Sequence, residues 1–566
     1  MEFLRPHAQL NQVERWKLER HPLDVRQSVI DDYSRLGPGA IAAVEGEPER
    51  LKWVGIYPQR QGGDAFMLRV KVPGGLMTSA QAAEVGRIAD RYATGPEASP
   101  VWGDRYLDLT TRQDIQMHWM RIGDIPEVWR RLEAVGMTTT QACGDSSRNV
   151  LCCPVAGIDA EEAFDASGVA RTISDYFTGN REYANLPRKF KMSVTGCLDD
   201  CAQAEINDIG LWPAEGRDGE LGFNVLVGGG LGDGARFATD IDAFVGLDQA
   251  VEVTRAIAQV YGELGNRENR GVCRMRYLVE ELGGEGFRAE LAARTSFELR
   301  PGGRNLTRRY RGDHVGVHPQ KQPGLVYVGL SVTVGRMSGL DLVEAARLAD
   351  EYGDGHIRLS TDQNLILSGV PEGRVDELMG EPLLERHPAR AGAFERGVVA
   401  CTGNEFCRFA VVETKARAVA WARELDRRVS LPAGEVVRMH FSGCSASCAQ
   451  PQIGDVGFRG DTAHVGDDIV EAVDIGLGGS LGTDAAFIDW VDGARPVEDV
   501  PEALVRVMER YVAERRPDEQ FHEWARRIPN ADLRSTLLGR SGSLAGAGAG
   551  PGAVTSTEGP AGGVAR

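Results

Sequence analysis

The stretch RMHFSGCSASCAQPQIGDVG (438–457) decides the organisation of this chain, because KMSVTGCLDDCAQAEINDIG (191–210) repeats it 247 residues earlier. Each stretch starts with a short apolar run, continues through a loop with two cysteines spaced C-x3-C, and ends in a second apolar run. A match of this length at so large a separation indicates duplication of a large unit.

Five further pairs of segments repeat in the same order, at separations between 248 and 261 residues. They are VGIYPQRQ (54–61) and VGVHPQKQ (315–322), GRIADRYA (86–93) and ARLADEYG (346–353), YLDLTTRQDIQ (106–116) and HIRLSTDQNLI (356–366), RNVLCC (148–153) and RGVVAC (396–401), and GGGLGDG (228–234) and GGSLGTD (478–484). The period is too long for a solenoid. We therefore expect two copies of one unit, packed about a pseudo-twofold axis with a ligand between them.

Each copy begins with the pattern of a compact α+β unit of about 75 residues. A strand rich in valine and isoleucine leads into a helix with apolar spacing, and one further strand follows. The predicted strand, helix and strand cover 66–72, 80–93 and 106–119 in the first copy and 325–334, 340–352 and 356–369 in the second. The Gly-rich turns after the cysteines lack G-x-G-x-x-G spacing, which favours anion-cradling or plain tight turns over a dinucleotide site.

Composition excludes several classes of protein. The 566 residues include 64 basic and 82 acidic side chains, and a net charge of −18 argues against broad nucleic-acid binding. Hydrophobic residues at 42% and charged residues at 26% are ordinary for a globular chain. We find no run of 18 apolar residues and no signal-peptide core, so we expect a cytoplasmic protein without a membrane span. The Gly/Ala-rich tail 541–566 should be disordered.

Four of the ten cysteines form a tight pattern, C-x5-C at Cys401 and Cys407 and C-x3-C at Cys444 and Cys448. Thiols stay reduced in the cytoplasm, so such a group indicates a metal rather than disulfides. The gaps are wider than the C-x2-C knuckles typical of structural zinc. They favour a 4Fe-4S cluster, with zinc or four ordinary buried cysteines as alternatives.

The first copy keeps three cysteines at matching positions. Cys153, Cys197 and Cys201 correspond to Cys401, Cys444 and Cys448, whereas the position that matches Cys407 is Asp159. We expect no second cluster, because the spacing is broken and a fourth thiol is missing. A packed remnant of an ancestral site is the plain alternative. Three cysteines receive no role: Cys143, Cys152 and Cys273.

The segments VACTGNEFC (399–407), ETKARA (413–418) and RMHFSGCSASCAQPQIGDVGF (438–458) resemble the sirohaem-containing nitrite and sulfite reductase family. The resemblance extends from about residue 50 to about residue 515. It implies an α+β, internally duplicated nitrite/sulfite reductase fold, with two ferredoxin-like half-domains and two sirohaem/4Fe-4S α/β domains. The implied units are an N-terminal arm 1–45, half-domains 46–125 and 308–380, α/β domains 135–300 and 390–530, and the tail 541–566.

The resemblance also implies the cofactors and the residues that hold them. Cys401, Cys407, Cys444 and Cys448 would bind the 4Fe-4S cluster, and Cys448 would also bridge to the sirohaem iron. The implied substrate residues are Arg112, Arg148, Lys189 and Lys191, which could instead be sirohaem-carboxylate contacts or surface charges. Weaker candidates for the sirohaem periphery are Arg60, Gln61, Lys321, Gln322 and Arg358.

The function implied is the assimilatory six-electron reduction of nitrite to ammonia. Because the sequence contains no convincing flavin or nicotinamide domain, electrons must come from a separate carrier, which the family implies is reduced ferredoxin, or a flavodoxin-like protein. An acidic carrier calls for a basic docking face. We expect a monomer with no nucleic-acid or membrane partner.

Two other functions stay open. Sulfite reduction to sulfide is favoured by Lys191, because nitrite reductases resembling this chain carry asparagine there. Against it, some sulfite-reducing members crosslink a tyrosine to a cysteine, and we place the matching positions at Ala65 and Ser146. Local similarity in HPQKQPG (318–324) and DEYGDG (350–355) also favours nitrite. A non-catalytic iron–sulfur electron-transfer protein is the more distant alternative.

Overall fold

The computed structural model describes residues 4–308, 310 and 313–540. The predicted disordered tail lies outside this range. The arm that precedes the first repeat is helical, and it is anchored by a fully buried ion pair between Glu14 and Arg267. Its helices are Gln12–Glu19, Val25–Ser28, a π-helical turn Val29–Tyr33, Ser34–Leu36, Pro38–Ala42 and Glu47–Arg50.

Each repeat opens with a ferredoxin-like half-domain, a helix packed on an antiparallel sheet. In repeat 1 the helix is Ser79–Tyr92 and the strands are Ile56–Pro58, Phe66–Val70, Leu76–Thr78, Thr94–Ser99, Gly103–Leu109 and Ile115–Met120, followed by the helix Ile125–Ala134. In repeat 2 the helix is Gly339–Tyr352 and the strands are Gly316–Pro319, Leu325–Leu330, Arg336–Ser338, His356–Leu359 and Leu365–Pro371, followed by helices Val375–Met379 and Pro382–Arg386.

The prediction of one further strand after the helix is wrong, because each repeat forms a hairpin there. The chain turns at Gln113 and at Gln363, which lie at the same repeat position with positive φ values of 55° and 64°. Both side chains anchor the turn. The Gln113 amide accepts from the backbone N–H of Cys152, and the Gln363 amide accepts from that of Ala400. A single-strand pattern therefore conceals a turn that is held by hydrogen bonds from the following domain.

The two half-domains exchange a short strand. Leu76–Thr78 of repeat 1 pairs with His356–Leu359 of repeat 2, and Arg336–Ser338 of repeat 2 pairs with Gly103–Leu109 of repeat 1. Their helices pack so closely that a Cβ atom at Gly86 would lie 2.5 Å from the Gly339 carbonyl oxygen. One hydrophobic core spans both half-domains.

Each half-domain is followed by an α/β domain with its own core and a five-stranded main sheet. The first three strands are parallel and the last two antiparallel. Repeat 1 contains strands Ser147–Cys152, Phe190–Val194, Ile209–Glu215, Leu221–Val227 and Thr239–Gly246, with helices Ser167–Phe177, Ala250–Leu264 and Met275–Ala292 and an added edge strand Arg304–Asn305. Repeat 2 contains strands Val398–Ala400, Met439–Ser442, Val456–Val465, Asp468–Leu477 and Asp489–Pro496, with helices Lys415–Arg428, Val500–Glu514, Phe521–Arg527 and Asn530–Leu537.

Equivalent residues meet at the expected pseudo-twofold axis. Phe237 and Phe487 stack with ring centroids 4.0 Å apart and planes 10° from parallel. Gln203 and Gln450, also equivalent, are hydrogen-bonded to each other. Contacts between like positions require an axis between them, so the two repeats pack as predicted. None of the helices in the described ranges is both long and apolar enough to cross a bilayer.

Candidate active site between the two repeats

Two parallel strands deliver the four thiols of repeat 2 to one edge of their sheet. Cys401 directly follows the strand Val398–Ala400, and Cys444 lies two residues beyond the strand Met439–Ser442. The strands are paired neighbours, so their carboxyl ends meet at the edge where α/β sheets bind ligands. The second cysteine of each pair follows in the same loop.

The surroundings of the Cys401 sulfur suit a metal ligand. Backbone N–H groups of Gly403 and Gly443 donate to this sulfur at 3.4 and 3.2 Å. Burial, and next the neighbouring Cys448, raises the pKa of the Cys401 thiol to about 12. A thiol in this position needs a cation to become a thiolate. Hydrogen bonds to sulfur are among the features by which proteins tune iron–sulfur clusters.

The four thiols are spread too widely for one zinc ion. Tetrahedral zinc with Zn–S bonds of about 2.3 Å holds its thiolates about 3.8 Å apart. Among the described residues, no three of these four sulfur atoms lie mutually within 4.8 Å. The donor set therefore fits a group larger than a single ion, as a cluster of several irons is.

Across the repeat interface, Cys448 faces basic side chains of repeat 1. The Thr111 hydroxyl donates a 3.0 Å hydrogen bond to the Cys448 carbonyl oxygen and joins the two halves at this point. The Cys448 sulfur is an electrostatic neighbour of Arg69 and Lys189. We call the basic group the cation pocket; it comprises Arg69, Arg112, Arg148, Lys189 and Lys191.

The cation pocket gathers basic side chains that have little direct acidic pairing, although the carboxylates of Asp114 and Asp208 act on Arg112 from nearby. Within the described part of the chain, none of its five side chains forms an ion pair with a carboxylate. This is exceptional in a protein of net charge −18. A cleft lined by one sign of charge concentrates ligands of the opposite sign. The pocket is therefore built to receive an anion.

The two lysines of the pocket can also exchange protons. Burial, and next the charge of Arg274, lowers the pKa of Lys189 to about 7. Burial, followed by Arg112 and Lys189, holds the pKa of Lys191 well below its usual range. A proton donor works best when its pKa lies near the working pH. Lys189 is thus suited to supply a proton as well as charge.

The two predicted arginines are held by few hydrogen bonds. Arg112 donates to the Asn149 carbonyl oxygen at 3.1 Å and to the Asn207 side chain, and burial lowers its pKa to about 9. Arg148 donates from Nε to the Gly144 carbonyl oxygen at 3.0 Å. Because a guanidinium has five N–H donors, both arginines retain donors for an oxyanion.

Lys191 differs from the equivalent residue of repeat 2 in its carboxylate partner. In repeat 2, Arg438 occupies the matching position and forms an ion pair with Asp455 at 3.0 Å. In repeat 1 the matching carboxylate, Asp208, pairs instead with Arg274 at 3.0 Å. The backbone remains equivalent, since the N–H groups of Lys191 and Arg438 donate to these aspartates at 2.9 and 2.8 Å. The Lys191 side chain is therefore free of the ion pair that its counterpart makes.

Sequence reasoning missed Arg69 and Arg274. Arg69 lies on the strand Phe66–Val70 and Arg274 precedes a helix, and neither belongs to a recognisable motif. The only available signal was indirect. Lys191 replaces Arg438, which leaves the matching Asp208 in need of another partner.

Comparison with known proteins matches this site to a family. The family model "Nitrite and sulphite reductase 4Fe-4S domain" matches residues 143–299 and 391–542, once in each repeat. The chain belongs to the nitrite and sulphite reductase family. The family's "ferredoxin-like half domain" matches residues 57–96, 97–135 and 318–384. Both halves of the duplicated architecture are thus accounted for.

Relatives match over nearly the whole chain. The assimilatory ferredoxin-dependent nitrite reductase of Haloferax mediterranei is 40% identical over 536 residues, covering 90% of each chain. The ferredoxin–nitrite reductase of Synechococcus elongatus is 40% identical over 515 residues, covering 90% of this chain and 98% of its own. The solved structure of the Mycobacterium tuberculosis NirA protein superposes with a TM-score of 0.86 at 31% identity, covering 93% of this chain and 98% of its own.

Tyr57 and Cys143 are neighbours at the pocket of this reductase-family chain. Burial, followed by Cys143, raises the pKa of Tyr57 well above its usual value. The placement of the family's crosslink positions at Ala65 and Ser146 stays a prediction. Pairing of Tyr57 with Met67 brings the tyrosine beside Arg69.

The five candidates for the sirohaem periphery separate into two groups. Arg60 donates to the Ala410 carbonyl oxygen at 3.0 Å, and Gln61 donates to that of Glu405 at 2.5 Å. These two residues lie against the loop that carries Cys407. Their role toward the sirohaem remains a prediction.

The other three candidates contact the corresponding loop of repeat 1. Lys321 forms an ion pair with Glu162 at 2.6 Å, and Gln322 donates to the Gly157 carbonyl oxygen at 3.0 Å. Arg358 donates to the carbonyl oxygens of Pro154 and Ala156 at 3.0 and 2.8 Å. These side chains are engaged with repeat 1. Their role toward the sirohaem also remains a prediction.

Proposed function

We propose that this chain reduces nitrite to ammonium, with six electrons from reduced ferredoxin and eight protons from solvent, at a sirohaem joined through Cys448 to a 4Fe-4S cluster held by Cys401, Cys407, Cys444 and Cys448. The observation that carries the proposal is the meeting of the Cys448 loop with the basic side chains of the cation pocket across the repeat interface. Nitrite reductases among the relatives, including that of Zea mays at 40% identity, support it. The two cofactors, when bound, would supply single-electron transfer and the metal centre for the reduction.

The protein residues contribute charge, orientation and protons. Arg112 and Arg148 keep free guanidinium donors for the nitrite oxygens, since charge-assisted hydrogen bonds bind small oxyanions strongly. Breaking each N–O bond releases an oxygen that must leave as water. Lys189 interacts electrostatically with Cys448, and its pKa of about 7 suits proton transfer to the oxygen that leaves nitrite. Solvent then supplies the proton that returns Lys189 to its charged form.

An electron carrier would dock beside the loop that holds Cys407. Arg60 and Arg408 are exposed there, and the Phe409 side chain is 78% exposed. An apolar residue flanked by two cations suits an acidic protein that carries its own buried cofactor, because complementary charge steers such encounters. We place the ferredoxin contact on this surface, formed by Arg60, Arg408 and Phe409. A monomer in the cytoplasm remains the expected state.

Sulfite reduction is the second candidate, and two observations favour it. Lys191 occupies the position where the nitrite branch carries asparagine, and Tyr57 lies against Cys143 in the pocket. An extra cation suits the doubly charged sulfite better than nitrite. The two functions share every other residue of the site, so the choice depends on a direct comparison of the two substrates.

Substitution of Cys448 tests the proposal against a purely electron-transferring protein. The wild type should show the Soret and long-wavelength absorption bands of a sirohaem and should form ammonium from nitrite with a reduced donor. Cys448→Ser should abolish turnover and disturb both cofactor spectra, whereas Cys152→Ser should preserve them. An iron–sulfur spectrum without the sirohaem bands, or wild-type turnover in Cys448→Ser, would contradict the proposal.

A further inference from the structure

The three cysteines retained in repeat 1 form a compact buried cluster. The sulfur atoms of Cys153, Cys197 and Cys201 all lie within 4.8 Å of one another, and each residue is at most 3% exposed. They follow the strands Ser147–Cys152 and Phe190–Val194 as the ligands of repeat 2 follow theirs. The position is thus equivalent to the proposed cluster site, but the sulfur atoms are much closer together.

A histidine from the segment between the two repeats reaches this cluster. His314 Nε2 lies 3.2 Å from the Cys201 sulfur. Its other ring nitrogen, Nδ1, lies 3.3 Å from the Tyr327 hydroxyl. A metal-bound histidine has its second nitrogen held by such a polar partner, which fixes the ring and the tautomer. His314 therefore presents one nitrogen to the thiols and is oriented through the other.

Hydrogen bonds to sulfur complete the surroundings. Thr195 Oγ1 lies 3.0 Å from the Cys197 sulfur, and the backbone N–H of Cys201 donates to the same sulfur at 3.4 Å. The backbone N–H donor stabilises a thiolate at Cys197. Three thiols crowded together without a metal would gain little from such donors. A plain apolar remnant of an ancestral site accounts for neither the donors nor the histidine.

We propose that Cys153, Cys197, Cys201 and His314 bind one zinc ion in a tetrahedral Cys3His site. Zinc with Zn–S bonds of about 2.3 Å requires thiolates about 3.8 Å apart, which agrees with three sulfur atoms within 4.8 Å. His314 lies outside that tight group and closes the tetrahedron by a small movement of its ring. Binding displaces the thiol protons to solvent and involves no redox change.

The site would close the cleft that is equivalent to the active site. Tyr310 lies there with its hydroxyl 3.5 Å from Asp362 and its ring 5.2 Å from the Arg438 guanidinium carbon. Asp362 takes the repeat position of Arg112. A zinc ion on His314 would link the start of repeat 2 to the α/β domain of repeat 1, which carries Cys201. This role is structural, and it does not depend on which anion the enzyme reduces.

Metal analysis of the purified holoenzyme tests the site. Elemental analysis should find about one zinc per chain beside about five irons, four from the cluster and one from the sirohaem. Zinc should fall below about one fifth of that in Cys201→Ser and in His314→Ala. The control Cys152→Ala removes an equally buried thiol next to Cys153 and should retain the zinc. Cofactor absorption serves as the check that each variant has folded.

A spectroscopic measurement on the wild type keeps the test decisive if the variants do not fold. Zinc-edge X-ray absorption should report three sulfur ligands and one nitrogen ligand. The proposal is overturned by wild-type protein with less than about one fifth of a zinc per chain, or by equal zinc in Cys201→Ser. Coordination by oxygen, or about eight non-haem irons per chain, would overturn it as well.

Discussion

The Thr111 hydroxyl donates a 3.0 Å hydrogen bond to the Cys448 carbonyl oxygen, and Thr361 makes the same 3.0 Å bond to Cys201. The two threonines occupy the same position in the two repeats. Each joins a half-domain to a cysteine loop of the opposite repeat. The duplicated fold thus builds two equivalent interfaces, one lined by the cation pocket and the other filled by Tyr310 and His314.

Removing each threonine hydroxyl should separate the two interfaces. Thr111→Val should lower kcat for nitrite about tenfold, because the Cys448 loop loses its fixed position against the pocket. Thr361→Val should keep kcat within about twofold and reduce stability by about 1 kcal/mol, since it leaves a buried carbonyl without its donor. Steady-state turnover and thermal unfolding measure the two effects. Equal loss of turnover in both variants would show that the interfaces are not functionally distinct.

Lys189 should control how the anion is bound and protonated. Lys189→Met removes a pocket cation, and kcat/KM for nitrite should fall about 100-fold, in the range seen when a preorganised charged donor is lost. Lys189→Arg restores the charge without the low pKa, so it should recover KM more than kcat. Lys321→Met, which breaks the ion pair with Glu162, is the matched control and should change little. A comparable loss in Lys321→Met would instead indicate that Lys321 contacts the sirohaem.

Arg408 should matter for the protein donor alone. Arg408→Glu reverses an exposed charge beside Cys407, and the KM for reduced ferredoxin should rise about tenfold because electrostatic steering is lost. Turnover with a small reductant such as reduced methyl viologen should stay unchanged. Arg427→Glu makes the same charge reversal at an exposed position of the helix Lys415–Arg428 and serves as the control. If Arg427→Glu weakens ferredoxin use equally, net charge rather than a local surface sets the affinity.

His522 should make stability depend on pH. Its ring nitrogens lie 3.2 Å from Asp455 and 2.9 Å from Asp484. Burial acts to lower the pKa of His522, but its bonds to these carboxylates outweigh burial and raise it. A raised pKa stabilises the fold fully below the unfolded value of 6.5, and this stabilisation is lost as pH rises through the folded value.

The measurement is the unfolding midpoint of His522→Gln and of wild type from pH 6 upward. The variant should be about 2 kcal/mol less stable at pH 6, as expected for hydrogen bonds to a charged group, and the difference should shrink at alkaline pH. The exposed His356, substituted as His356→Gln, is the control and should show no such trend. A difference that grows with pH would reverse the assigned sign.

The sequence was sufficient to predict the duplication, the four thiols and four of the five pocket cations. Those features are carried by residues close together in the chain, as Cys444 and Cys448 are, or by segments that repeat. Arg69 could not be found, because one arginine on a strand has no pattern until pairing places it beside Tyr57. The hairpin turns at Gln113 and Gln363 were hidden because their hydrogen-bond partners lie in another domain.

The cysteine cluster of repeat 1 could also be predicted only in part from the sequence. Its three cysteines were found by alignment of the repeats, but nothing in the spacing indicated how close their sulfur atoms lie. His314 is 113 residues from Cys201, and no short motif connects them. Only tertiary packing brings such donors together. A ligand set that comes from two domains therefore cannot be predicted from a sequence motif.

The central claim is that the cation pocket beside Cys448 reduces nitrite in preference to other oxyanions. The most direct test is steady-state turnover of nitrite and of sulfite by the same preparation with the same reduced donor. We predict a higher kcat/KM for nitrite, with ammonium formed at one molecule per six electrons consumed. A higher kcat/KM for sulfite, with sulfide as the product, would contradict the account and assign the pocket to the other branch of the family.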